Sequence, residues 1–317
     1  MWNIAIGLTL ALALAPWAAP AQTADYPART VEIVVPYPAG GQTDLTARTL
    51  ADALRGELGG TFIVNNKGGG AGLIGMTGVA NAAPDGHTLA FTPLGTITAQ
   101  PHRQKKPPYT IDSFDPICRV TESVLTLAVK AESPLKSLDD LVAAAQREPG
   151  KVAIGHIGQG SIPHLYLEHF AQVKGISLLM VAYRGEAQVL PALLGGEIPA
   201  GLISESTLPL QPLRGIAAFA AQRSPGAPGV PTFTEGGVPG IGAVPVVLVG
   251  PKGMPPALRA RLEQACLTVL GQPLMRDMAA KSSQVLSPGG GAEVAAITKR
   301  ESALFGGLIE RLGLQEN

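Results

Sequence analysis

The β-branched run Val31-Glu32-Ile33-Val34-Val35 stops at Pro36, and Pro38-Ala39-Gly40-Gly41 turns the chain into a segment where Leu45, Leu50, Ala53 and Leu54 recur at helical spacing. That is strand, glycine loop, helix. The unit repeats: Thr61–Asn65 reads as a strand, Lys67–Gly72 as a glycine loop and Leu73–Ala82 as a helix. Pro84-Asp85-Gly86 then turns into a third strand, His87–Phe91. A second series opens at Val124–Val129. Ser137 stands where it can cap a helix through Leu138, Leu141, Val142 and Ala145 that ends at Pro149-Gly150. A strand at Lys151–Ile154, a loop at Gly155–Ser161 and a helix at Pro163–Lys174 follow, with further strands at Ser177–Val181, Ala200–Ile203 and Gly215–Ala220. Arg223–Gly242, rich in Pro and Gly, reads as a connection. After a strand at Val246–Val249 the remainder reads as helical: Pro256–Leu270, Pro273–Lys281 and Ala292–Leu312.

Strands alternating with helices predict mainly parallel sheets covered on both faces, an α/β class. The helical tail has no sheet of its own and is expected to pack back on the first unit. The expected division is therefore residues 22–122 for the first part of domain one, 123–241 for domain two and 242–317 for the return to domain one. Hinges are expected near Cys118–Ser123 and Ile241–Val246. A length of 317 residues also suits about two domains.

Ahead of this pattern, Ile4–Ala15 is an apolar run followed by Pro16, Trp17 and Ala19-Pro20-Ala21, which fits the small-residue rule for signal peptidase. Residues 1–21 are read as a secretory signal, although only the α-amine supplies positive charge ahead of the run. The alternative is an uncleaved anchor, for which the run is short. A secretory signal implies export. The chain carries 24 basic and 24 acidic residues and no basic run, which argues against a nucleic-acid surface. An aromatic content of 4% leaves few stacking platforms. Cys118 and Cys266 exclude a disulfide scaffold or a Cys-rich metal site; they leave one bridge or two buried thiols, and the apolar side of its helix favours a buried thiol for Cys266. No metal site and no cofactor is expected.

Gly70-Ala71-Gly72-Leu73-Ile74-Gly75 satisfies G-x-G-x-x-G between strand and helix, but the next strand runs into Thr92-Pro93 with no acid for a ribose. Close packing of helix on sheet is the better account of those glycines. Pro38-Ala39-Gly40-Gly41-Gln42-Thr43-Asp44 and Gly155-His156-Ile157-Gly158-Gln159-Gly160-Ser161 occupy equivalent strand-to-helix corners, one per unit. Glycine lets backbone N–H groups turn toward a guest, and each helix start adds the positive end of a dipole. Two such corners facing one another would clamp a carboxylate without formal charge. Ser161 and His164 also suggest a hydrolase dyad, but the G-x-S-x-G elbow is absent and Ser161 stands where an N-cap belongs. Tyr183-Arg184 ends another strand, so Arg184 has two readings, an acid group of the ligand or Glu186.

Tyr26-Pro27…Val34-Val35-Pro36-Tyr37-Pro38-Ala39-Gly40-Gly41…Asp44…Ala47-Arg48 resembles the opening of the extracytoplasmic solute receptors of tripartite tricarboxylate transport systems, the Bug receptors. Asn66–Gly72 with Ile74-Gly75 is similar to that family's second loop, and Ala83-Pro84-Asp85-Gly86-His87-Thr88-Leu89 to its Pro-Asp-Gly-Tyr-Thr-Leu turn. Pro108-Tyr109…Phe114-Asp115-Pro116, Gly160-Ser161…His164-Leu165, Tyr183-Arg184-Gly185 and Pro231-Thr232…Glu235–Gly240 follow in register. The resemblance implies a two-domain periplasmic-binding-protein fold of type II with the ligand in a cleft between two α/β lobes joined by two crossovers. It also implies no enzyme activity, a monomer, and a two-component membrane permease driven by an ion gradient that receives the ligand. A receptor feeding a sensor protein has the same sequence features.

Carried over from the family, the ligand carboxylate would be held, partly through ordered waters, at Ala39, Gly40, Gly41, Gln42, Thr43 and Asp44, and at Gly158, Gln159, Gly160, Ser161 and His164. Tyr183, Arg184 and Ile203 would complete the pocket. Some members carry an acid that can pair with a ligand amine at the end of the strand ending Leu202-Ile203-Ser204; here Ile203 is read at that position, which favours a plain carboxylate over an amino acid. Arg184 stands where Lys is usual, Pro245 where an aromatic is frequent and Pro199 where Asp is common.

Overall fold

The computed structural model describes residues 26–316 apart from 184, 206, 225 and 283, so the expected signal at 1–21 lies outside the described residues. The first series runs β1 (Val31–Val35), α1 (Gln42–Leu58), β2 (Phe62–Asn66), α2 (Leu73–Ala80), β3 (Thr88–Pro93), the single turn α3 (Gly95–Thr98) and β4 (Phe114–Ser123). The second runs β5 (Leu125–Lys130), α4 (Leu138–Arg147), β6 (Ala153–His156), α5 (Ile162–Lys174), β7 (Leu179–Ala182), α6 (Glu186–Gly195), β8 (Ala200–Ser204) and β9 (Leu213–Ala218). The chain then returns through β10 (Val244–Pro251), α7 (Pro256–Leu270), α8 (Pro273–Ser282), β11 (Val285–Gly290) and α9 (Gly291–Arg311).

Two sheets result, in the orders β11-β4-β10-β3-β1-β2 and β7-β6-β8-β5-β9. β1 pairs in parallel with β2 and β3, and β6 in parallel with β7 and β8, as the strand-helix alternation requires. The remaining pairings are antiparallel, and they fix which way the sheets face. Val246 opposes Pro93 and Val244 opposes Ser123, so β3 and β4 end where β10 begins. Leu125 opposes Ser204, so β5 begins where β8 ends. Because β4 passes straight into β5, both sheets turn the carboxyl ends of their parallel strands toward the crossover, where open α/β sheets place ligands.

Each sheet has its own core. Ile33, Leu50, Leu54, Phe91 and Leu262 are wholly buried in the first, Leu165, Phe170, Phe219 and Phe233 in the second. Ser137 caps α4 by accepting the Asp140 N–H, as its position predicts.

Several expectations are corrected. Cys118–Ser123 lies inside β4, paired on one side with β10 and on the other with β11, and the change of sheet falls next to it, at Val124. The tail is not wholly helical, because β11 forms an edge strand of the first sheet; Pro288 and the adjacent glycines disguise it. Nor does the tail return only to the first lobe. Phe305, Leu308 and Ile309 of α9 are buried in the second core while α9 also packs on β4 and α3. α6 carries Pro191 in its interior, which masks its apolar repeat. Cys118 on β4 and Cys266 on α7 are joined in a disulfide with Cα atoms 6.5 Å apart, so the buried-thiol reading is replaced by the bridge. Both sulfurs belong to the first lobe, so the bond leaves the crossover free.

α9 also inserts Glu301 between the lobes, where its carboxyl accepts from Thr98 Oγ1 of α3 at 3.4 Å and Tyr166 Oη of α5 at 3.5 Å. Burial pushes that carboxyl up to about 7.

Candidate functional site

The β1–α1 corner is built by a carboxylate turned inward. Asp44 is buried; one oxygen accepts the Gly40 N–H at 2.8 Å and Arg48 Nε at 3.1 Å, the other accepts Asn66 Nδ2 at 3.0 Å. Burial opposes its ionisation, but the Gly40 amide, Arg48 and Asn66 outweigh it and hold the carboxyl below its ordinary range. The result is a loop pinned from beneath. Ala39, Gly40, Gly41 and Gln42 are exposed above it, Thr43 is half-buried, and α1 starts after Gly41 with no side-chain cap. A helix start without a cap turns first-turn amides outward with the positive end of the dipole.

The β6–α5 corner is built by imidazoles. His164 Nδ1 accepts the Gly160 N–H at 3.0 Å, which assigns the proton of the neutral ring to Nε2, 3.4 Å from Glu168 Oε1. His156 stacks on His164 with ring centroids 4.4 Å apart, and its Nδ1 lies 3.0 Å from the Gly158 carbonyl. Burial and the neighbouring His164 push His156 down to about 4. Ser161 caps α5: its hydroxyl donates to the Gly158 carbonyl at 2.7 Å and accepts the His164 N–H at 3.4 Å. Tyr183 is half-buried beside this corner, its backbone N–H bonded to the His156 carbonyl.

Both corners reach the same short helix, α3. Tyr37 Oη bonds Thr96 Oγ1 at 2.8 Å, and Gly72 has no Cβ because one would stand 2.7 Å from Thr96 Cγ2. From the other lobe, Ile162 packs so tightly on Gly95 that a Cβ there would stand 2.3 Å from its Cδ1. Gly75 lies where a Cβ would come within 2.6 Å of the Lys67 carbonyl, which is the close packing expected of the G-x-G-x-x-G run.

A cavity of about 550 Å³ opens at the crossover, walled on the first-lobe side by Gln42, Glu122, Ser123, Ala279, Ala280, Gln284 and Val285. On the second-lobe side its walls are Val124, Ser204, Glu205, Pro209, Leu210, Ser224 and Gly226. Of the residues singled out from sequence, Gln42 is the one in its wall. Ile203 is not a wall residue at all. It is wholly buried, packed among Val189, Leu193 and Ala218, because alternation along β8 sends its side chain into the core. β8 continues to Ser204, and the acid that follows is Glu205. Arg184 lies outside the described residues.

The family model described as the tripartite tricarboxylate transporter family receptor, TctC, matches residues 46–314. This chain belongs to the TctC family. Among the relatives of this receptor, it is 32% identical over 313 residues to a protein encoded 5′ of gbd in Cupriavidus necator, covering 96% of this chain and 94% of that one. It is 34% identical over 257 residues to BugT of Bordetella pertussis, covering 78% of each. A TctC solute-binding protein from Polaromonas, solved without ligand, superposes with a TM-score of 0.83 at 29% identity, covering 90% of this chain and 100% of that one. An R. palustris protein solved with adipate gives 0.74 at 26%, covering 91% and 99%; MatC of Rhodopseudomonas palustris, with bound malate, gives 0.72 at 27%, covering 90% and 100%.

The receptor therefore has the two-lobed periplasmic-binding-protein fold and is not an enzyme, and the site agrees. A Ser161–His164 dyad needs an imidazole nitrogen to take the hydroxyl proton. Here that proton points to Gly158, His164 Nδ1 is engaged by Gly160, and Nε2 faces Glu168.

Sequence reasoning missed Arg103 and Glu316. The Arg103 guanidinium lies against Gly160 and donates to the Gln159 carbonyl at 3.3 Å, and it is itself held by the Glu316 carboxylate, whose backbone N–H bonds the Arg103 carbonyl at 2.6 Å. Nothing local could have revealed a pairing across 213 residues. Glu205 was missed for a simpler reason: a strand end read one residue early.

Proposed function

We propose that this receptor holds a small carboxylate-bearing ligand between its lobes and delivers it to a two-component membrane permease. The observation that carries the reading is the pair of glycine-rich helix starts at the facing carboxyl ends of two sheets, both packed on α3. Adipate and malate in two related structures support a carboxylate. In this reading the amides of Gly41, Thr43 and Gln159 face the ligand, directly or through water, while the Ser161 N–H is taken up by the Gly158 carbonyl at 3.3 Å. Asp44 and His164 act one step behind them, each by fixing the glycine in front of it. Gln42 stands in the cavity wall, and Ala39, Gly40, Gly158, Gly160 and Tyr183 form the frame of the two corners.

The lobes would close about Val124 and the segment entering Val244, dividing the chain at residues 22–122, 123–241 and 242–317. Residues 1–21 would direct export and be removed, leaving a monomer in the periplasm. The test is a thermal-shift panel on the purified mature chain with mono-, di- and tricarboxylates, adipate and malate included. A rise in Tm that saturates with one of them supports the reading. A flat response to the whole panel overturns it.

A further inference from the structure

We infer that the ligand is a monocarboxylate whose remaining body is apolar and uncharged, and that Leu210 and Val285 enclose that body from opposite lobes. This inference rests on the receptor reading and names the ligand class for the same cleft. The cavity of about 550 Å³ has apolar side chains on both walls: Ala279, Ala280 and Val285 on the first lobe, Val124, Pro209 and Leu210 on the second. Leu210 is 76% exposed. The chain holds it there. Leu208, at the start of the same turn, is buried in the second lobe, Pro209 restricts the backbone between them, and the Leu210 N–H bonds the Thr207 carbonyl at 3.1 Å. Val285 is fixed as well, paired with Glu122 of β4.

A lone exposed leucine is ordinary. One held in a cavity wall, with the exposed Val285 on the other wall, leaves water when the lobes close on an apolar guest, and that burial favours closure. The polar side chains of the wall point to the same class, because most of them are already engaged within the protein. The Ser204 hydroxyl donates to Glu186, the Ser224 hydroxyl donates to Glu205 Oε1 at 2.6 Å, and Gln284 Nε2 donates to Thr46 Oγ1 at 2.8 Å. Glu122 is paired with Arg119 Nη1 at 3.0 Å, and Glu205 Oε2 is closed off from solvent.

Among the described residues of the wall there is no Lys, Arg or His. A second ligand carboxylate would therefore lose water beside Glu122 and Glu205 with no cation to balance it and with the wall's hydroxyl donors already taken. An ammonium would compete with Arg119 for Glu122. A single carboxylate is provided for: Gln42, in the same wall, opens α1, whose dipole end favours an anion. The cleft thus has one pole for an anion and an apolar chamber beyond it.

The experiment measures Kd by calorimetry on the full mature chain for ligands paired by length: butanoate, hexanoate and octanoate against succinate, adipate and suberate, with 6-aminohexanoate as the cationic partner of hexanoate. The expected result is that hexanoate or octanoate binds at least about tenfold tighter than its charged partners, with about fourfold gained per added methylene. Leu210→Ser should weaken monocarboxylate binding about tenfold and leave the Tm of the free protein unchanged, since the side chain is exposed before closure. The comparison between ligands on the unmutated protein stands even if the variant does not fold. Any smaller preference, tighter binding of a dicarboxylate or of 6-aminohexanoate, or monocarboxylate affinity that Leu210→Ser leaves unchanged, overturns this inference and leaves the receptor reading intact. No binding by any ligand of the series and the carboxylate panel overturns both.

Discussion

The two glycine corners do the same geometric job with different chemistry. At Gly40 the fixing group is a carboxylate from the next turn, supported by Arg48 and Asn66 of the same lobe. At Gly160 it is a neutral imidazole on one side and, on the other, Arg103 and Glu316 brought in from distant parts of the chain. The first corner is self-contained and charged. The second is neutral at its centre and depends on the lobes being assembled. A binding cleft needs both corners in register, so one is set by local folding and the other by long-range docking.

Removing the pin of the first corner should have the largest effect. Asp44→Ala strips a buried acceptor from the Gly40 amide, Asn66 and Arg48, and a loss of about 2–4 kcal/mol by urea unfolding is expected, with loss of ligand binding. A loss under about 0.5 kcal/mol would mean that the corner holds itself.

Between the lobes, Glu301→Gln should change the pH profile. The folded-state pKa, about 7, is raised above the ordinary value of 4.5, so the stabilisation is full below 4.5 and is lost as pH rises through 7. The unmutated protein should lose on the order of 1–3 kcal/mol between pH 5 and pH 8 from this group, and the variant should lack that slope in thermal melts.

Gly160→Ala tests the second corner. Gly160 sits at φ +71° and a Cβ would stand 2.6 Å from the Arg103 guanidinium, so about 1–2 kcal/mol of stability should go, with weakened binding. Gly41→Ala is its control and the smallest effect. At φ −76°, with the nearest atom to a new Cβ 3.8 Å away, stability should stay within about 0.5 kcal/mol.

Acid should separate the corners without mutation. The His156 pKa is depressed from 6.5 to about 4, so its stabilisation is present above 6.5 and is lost as pH falls toward 4. Asp44 is depressed below 3.8, so its contribution persists at pH 5. Hydrogen exchange corrected for intrinsic rate should therefore show protection falling at Gly158–His164 between pH 7 and pH 5 while Gly40–Asp44 holds. Equal loss at both would remove the distinction.

What was legible in the chain followed from local rules. Period-2 and period-3.6 patterns located the helix Pro256–Leu270 to the residue, and the cap at Ser137, because those signals act within a few residues. The disulfide escaped, since apolar placement of Cys266 suits a bridge as well as a thiol until β4 is known to lie beneath α7. Ile203 escaped by the two-residue period of a strand, where misjudging the end exchanges core for cleft.

By itself, the order of residues determined the alternation of strands and helices, the two glycine corners and the family, all of which depend on neighbours in the chain. Tertiary structure alone decided that α9 spans both lobes, that Arg103 and Glu316 brace the second corner, and that Glu205 stands at the cavity with one oxygen unpartnered. Those contacts join residues separated by tens to hundreds of positions, and side-chain burial and pairing at that range are properties of the packed chain, not of any window along it.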